Sequence, residues 1–307
     1  MGSEGQPMLP VLDFTMEDLK PGTNSWLTTC RRVRQAFEEY GCFVAVYDKA
    51  SVGLQNGVFG SMKELFDLPA ETKQRNIYEG MPLKGYVGQR PQIPLHESMG
   101  IDEGTTLEGI QNFIQKMWPN GNDQFCKYIF EYAKLAEDLD RMVARMIFES
   151  YGVLKHYDTY IGSTSYLLRL LAHKAPEQVE QQLGFVAHTD KSFTTILHQN
   201  QVNGLMVETR DGHWIDVDFS SPTSFVVMAG DALMAWSNDR IKSPNHKVLM
   251  KGNEIRYSLG LFAFYKGIMQ VPEELIDEEH PLQYKPFDHL GLLNFTYSAN
   301  MKAYCGV

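Results

Sequence analysis

Five polar residues in the second half of the chain restrict the fold more than any other feature of the sequence. They are His188, Asp190, His246, Arg256 and Ser258. The first two are separated by a single residue, and so are the last two. On a β-strand, side chains two residues apart point to the same face. The pattern therefore predicts that one strand carries His188 and Asp190 and another carries Arg256 and Ser258, with all four side chains pointing inward.

The secondary-structure signals differ between the two halves of the chain. Helix signals dominate the first half, with Ser25 as a candidate N-cap and predicted helices over 25–40, 51–66 and 122–151. After residue 164 short strand signals take over, and they cover 166–171, 193–198, 206–209, 214–217, 225–228, 247–250 and 256–264. Helices first and strands later predict an α+β fold, with helices outside a double-sheet jelly roll.

Composition and charge exclude several classes of protein. The 307 residues are 43% hydrophobic and include 17 Phe and 15 Tyr, which is enough for a sizeable core. A net charge of −10 without a basic cluster argues against a nucleic-acid surface, and apolar runs such as 224–229 are too short to span a bilayer. Four separated cysteines and no signal peptide predict reduced thiols in the cytoplasm.

These five polar residues, called the polar group below, have side chains that indicate a metal site. Two imidazoles and one carboxylate are the ligand set of non-haem Fe(II) sites with open coordination positions. A 2-oxo acid can chelate such an ion and leave one position for O₂. Zinc with the same ligands is the alternative. Arg256 and Ser258 favour iron with a dicarboxylate co-substrate, because a guanidinium pairs with a carboxylate through two hydrogen bonds and the hydroxyl adds a donor.

The substrate pocket is predicted from the same strand. Phe262 and Phe264 share the face of Arg256, so a polar pair is followed by two aromatic rings. Such a wall suits a pocket that changes from co-substrate to organic substrate, and Thr195 is a further candidate residue. The loop 79–106 and the last twenty residues, which include Phe295, Tyr297 and Tyr304, are candidate lids.

Motifs spread over nearly the whole chain match one family. They are Leu9-Pro10-Val11-Leu12-Asp13, Tyr40-Gly41-Cys42-Phe43, His188-Thr189-Asp190, Asn203-Gly204-Leu205, Gly230-Asp231, Ser243-Pro244-Asn245-His246 and Arg256-Tyr257-Ser258. With these motifs the sequence resembles the plant 2-oxoglutarate- and Fe(II)-dependent dioxygenases of the isopenicillin N synthase-like superfamily. Within that family it is most similar to the AOP-like branch.

The resemblance implies a role for each residue of the polar group. His188, Asp190 and His246 would be the catalytic Fe(II) ligands, and Arg256 and Ser258 would hold the distal carboxylate of 2-oxoglutarate. It implies a double-stranded β-helix, a relative of the jelly roll. It also implies O₂ as co-substrate, succinate and CO₂ as products, and ascorbate as a supporting reductant.

One departure from the family pattern concerns the co-substrate. His173 stands where the family usually has a Tyr that helps to hold 2-oxoglutarate. An imidazole could donate a similar hydrogen bond, so His173 is a candidate co-substrate residue.

We expect a single catalytic unit over 1–307. It would have a mainly helical region over 1–160, a jelly-roll core over 161–270 and a C-terminal segment over 271–307 as a candidate lid. The expected reaction is hydroxylation of a hydrophobic plant specialised metabolite, or its desaturation, ring closure or demethylation. We expect a cytoplasmic monomer that binds a small-molecule substrate and neither nucleic acid nor membrane. The alternatives are an iron oxidase of the same fold that does not use 2-oxoglutarate, and a non-catalytic ligand-binding relative.

Overall fold

The computed structural model describes residues 8–79, 81, 84–88, 90–177, 181–219, 221–293 and 301–307. Helices precede and flank the strands. They are α1 (Asn24–Tyr40), α2 (Val52–Phe66), α3 (Ala70–Lys73), α4 (Leu107–Met117), α5 (Asp123–Ser150), α6 (Tyr157–Gly162), α7 (Asp231–Trp236), α8 (His289–Leu292) and α9 (Met301–Cys305). None of these helices is both long enough and apolar enough to cross a membrane.

The strands form two main sheets. They are β1 (Val11–Asp13), β2 (Cys42–Val46), β3 (His96–Ile101), β4 (Thr164–His173), β5 (Gln182–His188), β6 (Thr194–Gln199), β7 (Leu205–Glu208), β8 (Trp214–Asp216), β9 (Ser224–Ala229), β10 (His246–Met250), β11 (Arg256–Tyr265), β12 (Ile268–Met269) and β13 (Phe287–Asp288). The major sheet has the order β1-β2-β9-β6-β11-β4-β3, and the minor sheet has the order β5-β10-β7-β8. Strands β12 and β13 pair separately.

The two sheets pack face to face, which confirms the predicted α+β jelly roll. Val226 and Met228 of the major sheet share an apolar cluster with Leu205, Val207 and Ile215 of the minor sheet. Apart from the parallel pair β1–β2, the pairs within the two sheets are antiparallel. The side chains that alternate toward this interior decide what the protein can bind.

Helix α5 covers the outer face of the major sheet. Its buried residues recur every three or four positions, from Phe125 and Ile129 to Val143 and Ile147, and they pack in one core with Leu168 and other outward-facing residues of the sheet. The side chain of Asn122 caps its first turn by accepting a hydrogen bond from the backbone N–H of Phe125 at 2.9 Å. Burying a large aliphatic or aromatic side chain in such a core contributes about 1.5–3 kcal/mol, so this face fixes the sheet rigidly behind the interior.

Two local predictions were wrong. Helix α1 begins after Thr23, whose hydroxyl accepts from the backbone N–H of Trp26 at 3.1 Å, whereas Ser25 donates to Asp18 instead of capping. The predicted loop 79–106 contains strand β3, which pairs with β4 along its whole length. Five of the six residues of β3 are buried, so its sequence does not alternate as that of a strand with one exposed face does. The strand is therefore recognised only from its pairing with β4. With β1, β2 and β3 the major sheet also extends beyond the predicted core range 161–270.

Candidate metal and co-substrate site

Three predicted ligands meet at one end of the minor sheet. His188 is the last residue of β5, His246 is the first residue of β10, and the two face each other in the pairing of these strands. Asp190 does not lie on the same strand as His188, which corrects the prediction of one strand carrying both. The chain leaves β5 after His188, and the carbonyl of Asp190 instead accepts a hydrogen bond from the backbone N–H of Asp231 at 2.7 Å.

The distances between the ligand atoms suit one metal ion. Oδ1 of Asp190 is 3.7 Å from Nε2 of His188 and 3.8 Å from Nε2 of His246. All three ligand atoms lie within 4.8 Å of one another. Two atoms that are each about 2.1 Å from one ion can be at most about 4.2 Å apart. Movements of a few tenths of an ångström would therefore bring the full set into coordination range.

Backbone carbonyls fix both imidazoles in the form that a metal needs. Nδ1 of His188 is 2.9 Å from the carbonyl oxygen of Val186, and Nδ1 of His246 is 3.3 Å from that of Pro244. A carbonyl oxygen only accepts, so Nδ1 carries the hydrogen and the lone pair of Nε2 faces the site. Burial, with a further contribution from His246, lowers the pKa of His188 to about 4, which keeps the imidazole neutral at pH 7.

The carboxylate of Asp190 is held from behind. Thr195 donates from Oγ1 to Oδ2 of Asp190 at 2.8 Å, and Ser192 lies 2.8 Å from the same hydroxyl. Oδ1 is thereby left to face the histidines. The structure thus places Thr195, a predicted substrate residue, in contact with a metal ligand and fully buried. Its assignment to the substrate pocket stays a prediction.

A second acidic residue braces the loop that carries Asp190. Oδ2 of Asp231 accepts from the hydroxyl of Thr189 at 3.2 Å, and its backbone N–H holds the carbonyl of Asp190. The preceding Gly230 is required here, because a Cβ at this position would lie 2.0 Å from the carbonyl oxygen of Ser192. The Gly-Asp motif therefore sets the path of the ligand loop.

The guanidinium of Arg256 is buried among neutral partners. It is 2% exposed, and its Nε and Nη2 donate to Oε1 of Gln199 at 2.9 and 2.7 Å. Its Nη1 donates to Oγ of Ser258 at 3.0 Å. Burial lowers the pKa of Arg256 only to about 10, so the group is charged at pH 7. Within the described part of the chain no carboxylate lies within 4.0 Å of it.

Strand β6 connects the two ends of the site. Thr195, which holds Asp190, and Gln199, which holds Arg256, are four residues apart and point to the same face. At about 3.3 Å per residue they are separated by roughly 13 Å along the strand. The metal ligands and the guanidinium therefore approach one interior space from its two ends.

His173 lies beside the guanidinium. Its Nδ1 is 3.5 Å from Nη1 of Arg256, and its Nε2 is 3.0 Å from Nδ1 of His96. Burial is the main cause that lowers the pKa of His173 well below its ordinary value. The structure thus brings His173 to the predicted co-substrate end, although direct contact with 2-oxoglutarate stays a prediction.

The two predicted aromatic residues lie further along β11. The ring of Phe262 lies against Gly260, where a Cβ would be 2.7 Å from Cε2 of the ring. Phe264 is buried, and its ring centroid is 5.3 Å from that of His289. His289 accepts from the backbone N–H of Tyr265 and donates to the carbonyl of Lys191, which attaches α8 beside the ligand loop.

The candidate lids are only partly described. Phe295 and Tyr297 lie outside the described residues, whereas the hydroxyl of Tyr304 donates to the carbonyl of Asp288 at 2.9 Å. In the loop before β3, Val87 bridges to Ser98 and extends the major sheet at its edge. A role in closing the site stays a prediction for both segments.

The site contains three residues that were not predicted from the sequence, namely Gln199, His96 and Asp231. Asp231 had a signal, since its Gly-Asp motif was among the family matches. Gln199 could have been found from its place on the inward face of β6, two residues beyond Leu197 and four beyond Thr195. His96 carried no signal, because the strand that holds it was not predicted.

Comparison with known proteins identifies the family of the chain. The family model of the 2OG-Fe(II) oxygenase superfamily matches residues 161–264, and the model described as the N-terminal region of non-haem dioxygenases in morphine synthesis matches residues 9–98. A probable 2-oxoglutarate-dependent dioxygenase, AOP1.2 of Arabidopsis thaliana, is 44% identical over 94% of this chain and 90% of its own length.

Solved structures of other dioxygenases have the same fold. The dioxygenase for auxin oxidation 1 of Arabidopsis thaliana, solved in complex with 2-oxoglutarate, superposes with a TM-score of 0.79 at 26% identity, over 89% of this chain and 100% of that chain. The rice dioxygenase for auxin oxidation gives a TM-score of 0.78 at 27% identity, over 92% and 93%. The resemblance drawn from the motifs is confirmed: the chain belongs to the 2OG-Fe(II) oxygenase superfamily, as an oxidoreductase of the AOP-like 2-oxoglutarate-dependent dioxygenases.

Proposed function

We propose that this enzyme oxidises a hydrophobic plant specialised metabolite, with His188, Asp190 and His246 as Fe(II) ligands and Arg256 and Ser258 as the anchor of 2-oxoglutarate. Hydroxylation is the expected outcome, and desaturation, ring closure or demethylation are its variants. All four cysteines of the chain are free thiols, namely Cys30, Cys42, Cys126 and Cys305. Free thiols support the proposal that the enzyme acts in a reducing compartment such as the cytoplasm.

The buried charge of Arg256 carries the proposal. A guanidinium taken out of water is costly unless an anion compensates it. Its described partners, Gln199, Ser258 and His173, are all neutral. A dicarboxylate whose other end reaches the metal would supply the missing negative charge, so the arrangement favours 2-oxoglutarate over a neutral co-substrate.

The hydrogen-bond donors of Arg256 and Ser258 that have no acceptor among the described residues match one carboxylate. A guanidinium has five N–H groups. Gln199 accepts two of them, and Ser258 and His173 face the two on Nη1. One N–H on Nη2 is left without an acceptor among the described residues, and the hydroxyl hydrogen of Ser258 is also free to turn. Together they offer two hydrogen bonds to the two oxygens of a carboxylate.

At the metal end the chain's contribution is positioning. When bound, the Fe(II) ion supplies O₂ activation coupled to decarboxylation of the 2-oxo acid. Val186 and Pro244 hold the imidazoles through their carbonyls, and Thr195 holds the unliganded oxygen of Asp190. Such outer contacts typically change metal affinity or activity by about 10–100-fold when they are lost.

The apolar character of the substrate is supported by β11. Beyond Ser258 the inward face changes to Gly260, Phe262 and Phe264, so polar contacts give way to aromatic rings. Apolar walls also exclude water from the reacting atoms, which limits side reactions. A largely hydrophobic metabolite fits this wall better than a free amino acid.

The test is co-substrate turnover. With Fe(II), O₂ and ascorbate, the purified protein should convert 2-oxoglutarate to succinate, and an Arg256→Met variant should require far more 2-oxoglutarate. An Arg31→Met variant, which changes an exposed arginine of α1, is the matched control. Substrate oxidation without succinate would instead identify an iron oxidase that does not use 2-oxoglutarate.

The same succinate assay can locate the substrate. Plant extract fractions that raise succinate formation by the parent protein would contain it.

A further inference from the structure

We propose that His173 and His96 form a hydrogen-bonded pair that holds the guanidinium of Arg256 in place. His173 is then a positioning residue for the anchor rather than a direct contact of 2-oxoglutarate. This inference rests on the proposed function, which assigns Arg256 to the co-substrate.

The three side chains form one row across the major sheet. Arg256 on β11 pairs with His173 on β4, and His173 pairs with His96 on β3. All three are buried: Arg256 is 2% exposed, His173 1% and His96 4%. Cross-strand neighbours on one face of a sheet are the closest side-chain pairs that a sheet makes. The register itself therefore places the two imidazoles in line with the guanidinium.

The contacts allow one arrangement of hydrogens. A guanidinium only donates, so Nδ1 of His173, which faces Nη1 of Arg256 at 3.5 Å, must be the acceptor. A hydrogen on that nitrogen would point at an N–H group and be repelled. The single hydrogen of neutral His173 is therefore on Nε2 and is donated to Nδ1 of His96 at 3.0 Å.

The far end of the pair is fixed in the same direction. With its Nδ1 accepting, His96 carries its hydrogen on Nε2, which is 3.1 Å from Oγ of Ser98. Nη2 of Arg169 also donates to that oxygen at 2.7 Å. The ring of Phe185 lies 4.6 Å from the ring of His96. His96 is thus held on two sides and can hold His173 in turn.

This arrangement excludes the role first expected for His173. The imidazole has one N–H, and that group is committed to His96, so it cannot replace the hydroxyl of a tyrosine as a donor to the co-substrate. His173 instead offers the guanidinium a neutral acceptor, as Gln199 does from the other side. Both imidazoles are neutral at pH 7, because burial lowers the pKa of His96 to about 3 and that of His173 well below its ordinary value. The charge of Arg256 is left for the dicarboxylate.

The first experiment compares two substitutions of His96 in the full-length protein. His96→Asn keeps an acceptor, since its amide oxygen takes the place of Nδ1, whereas His96→Leu removes it. Anaerobic calorimetric titration of 2-oxoglutarate into the Fe(II)-loaded protein should show a Kd about fivefold higher in His96→Leu. In His96→Asn it should stay within about twofold of the parent. A folded His96→Leu variant with the parent's Kd would overturn the proposal, as would an equal loss in both variants.

A second measurement needs neither substitution nor activity. Nitrogen NMR of the histidine side chains in Zn(II)-loaded protein should show the hydrogen on Nε2 of both His173 and His96. A hydrogen on Nδ1 of His173 would contradict the pair. If the parent protein did not bind 2-oxoglutarate, the proposed function would fail, and the NMR result would still decide whether the pair exists.

Discussion

The space between the two sheets is divided into an apolar half and a polar half. On the side of β2, β7, β8 and β9 it is filled by apolar side chains, namely Leu9, Cys42, Val44, Leu205, Val207, Ile215, Val217, Phe219, Val226 and Met228. On the side of β3, β4 and β11 it contains buried polar groups, among them His96, Ser98, His173, Arg256 and Ser258. Both halves have the same strand alternation, so residue choice alone separates them.

Strand β6 is the boundary between the halves. Leu197 packs against the apolar cluster, while Thr195 and Gln199 on the same face hold Asp190 and Arg256. Apolar burial contributes stability in proportion to the area removed from water, whereas buried polar groups contribute little unless every hydrogen bond is made. We infer that the apolar half stabilises the jelly roll. The buried charge and the metal ligands of the polar half lower the free energy of unfolding, and burial in the apolar half offsets this cost.

The largest expected effect is the loss of a metal ligand. Asp190→Ala should lower turnover of 2-oxoglutarate by more than about 100-fold, because it removes a direct ligand where outer contacts alone are worth about 10–100-fold. Bound iron, measured by elemental analysis after desalting, should fall in parallel. His213→Ala changes an exposed histidine and should match the parent in both measurements. An Asp190→Ala protein that keeps a full equivalent of iron would remove this residue from the site.

Next in size is the loss of the buried charge. Arg256→Met should raise the KM for 2-oxoglutarate by about 100-fold, since truncating one partner of a buried charge pair costs 2–5 kcal/mol or more. Its free energy of unfolding should change by only about 1 kcal/mol, because relief of the buried charge offsets the lost hydrogen bonds. Steady-state kinetics and urea unfolding measure the two quantities. A large loss of stability with an unchanged KM would reverse the roles assigned to the halves.

A change in the apolar half should do the opposite. Ile215→Ala should lower the free energy of unfolding by about 2 kcal/mol or more, because it leaves a cavity among apolar side chains. The KM for 2-oxoglutarate should stay within about twofold of the parent at a temperature where the variant is folded. Thermal unfolding and kinetics at that temperature make the comparison. A tenfold change in KM here would show that the two halves are coupled.

The smallest of these four effects is expected at the boundary. Gln199→Glu puts a carboxylate against Arg256 and neutralises the positive charge that we assign to binding of 2-oxoglutarate. The KM for 2-oxoglutarate should therefore rise about tenfold. The neutral variant Gln199→Leu loses the hydrogen bonds but keeps the charge, and its KM should rise less. If the Leu variant were the more impaired of the two, then orientation rather than charge would be the contribution of Gln199.

The sequence predicts the ends of the site better than its lining. His188, Asp190 and His246 are recognisable because their side-chain chemistry and spacing are local properties. The position of Asp190 beyond the end of β5 depends on a backbone hydrogen bond from Asp231, which no local pattern contains. Gln199 belongs to no motif, and its role follows from the cross-strand pair with Ser258. The fold class followed from the order of helix and strand signals along the chain. Strand β3 was not predicted, because five of its six residues are buried and the strand does not alternate.

The most direct test is a crystal structure of the protein grown without O₂ in the presence of Mn(II) and 2-oxoglutarate, with the metal located by anomalous scattering. We predict Mn(II) bound by Nε2 of His188, Oδ1 of Asp190 and Nε2 of His246. The distal carboxylate of 2-oxoglutarate should lie on Arg256 and Ser258, with His173 on Arg256 rather than on the ligand. A metal held by other residues, or a co-substrate whose distal carboxylate lies away from Arg256, would contradict the account.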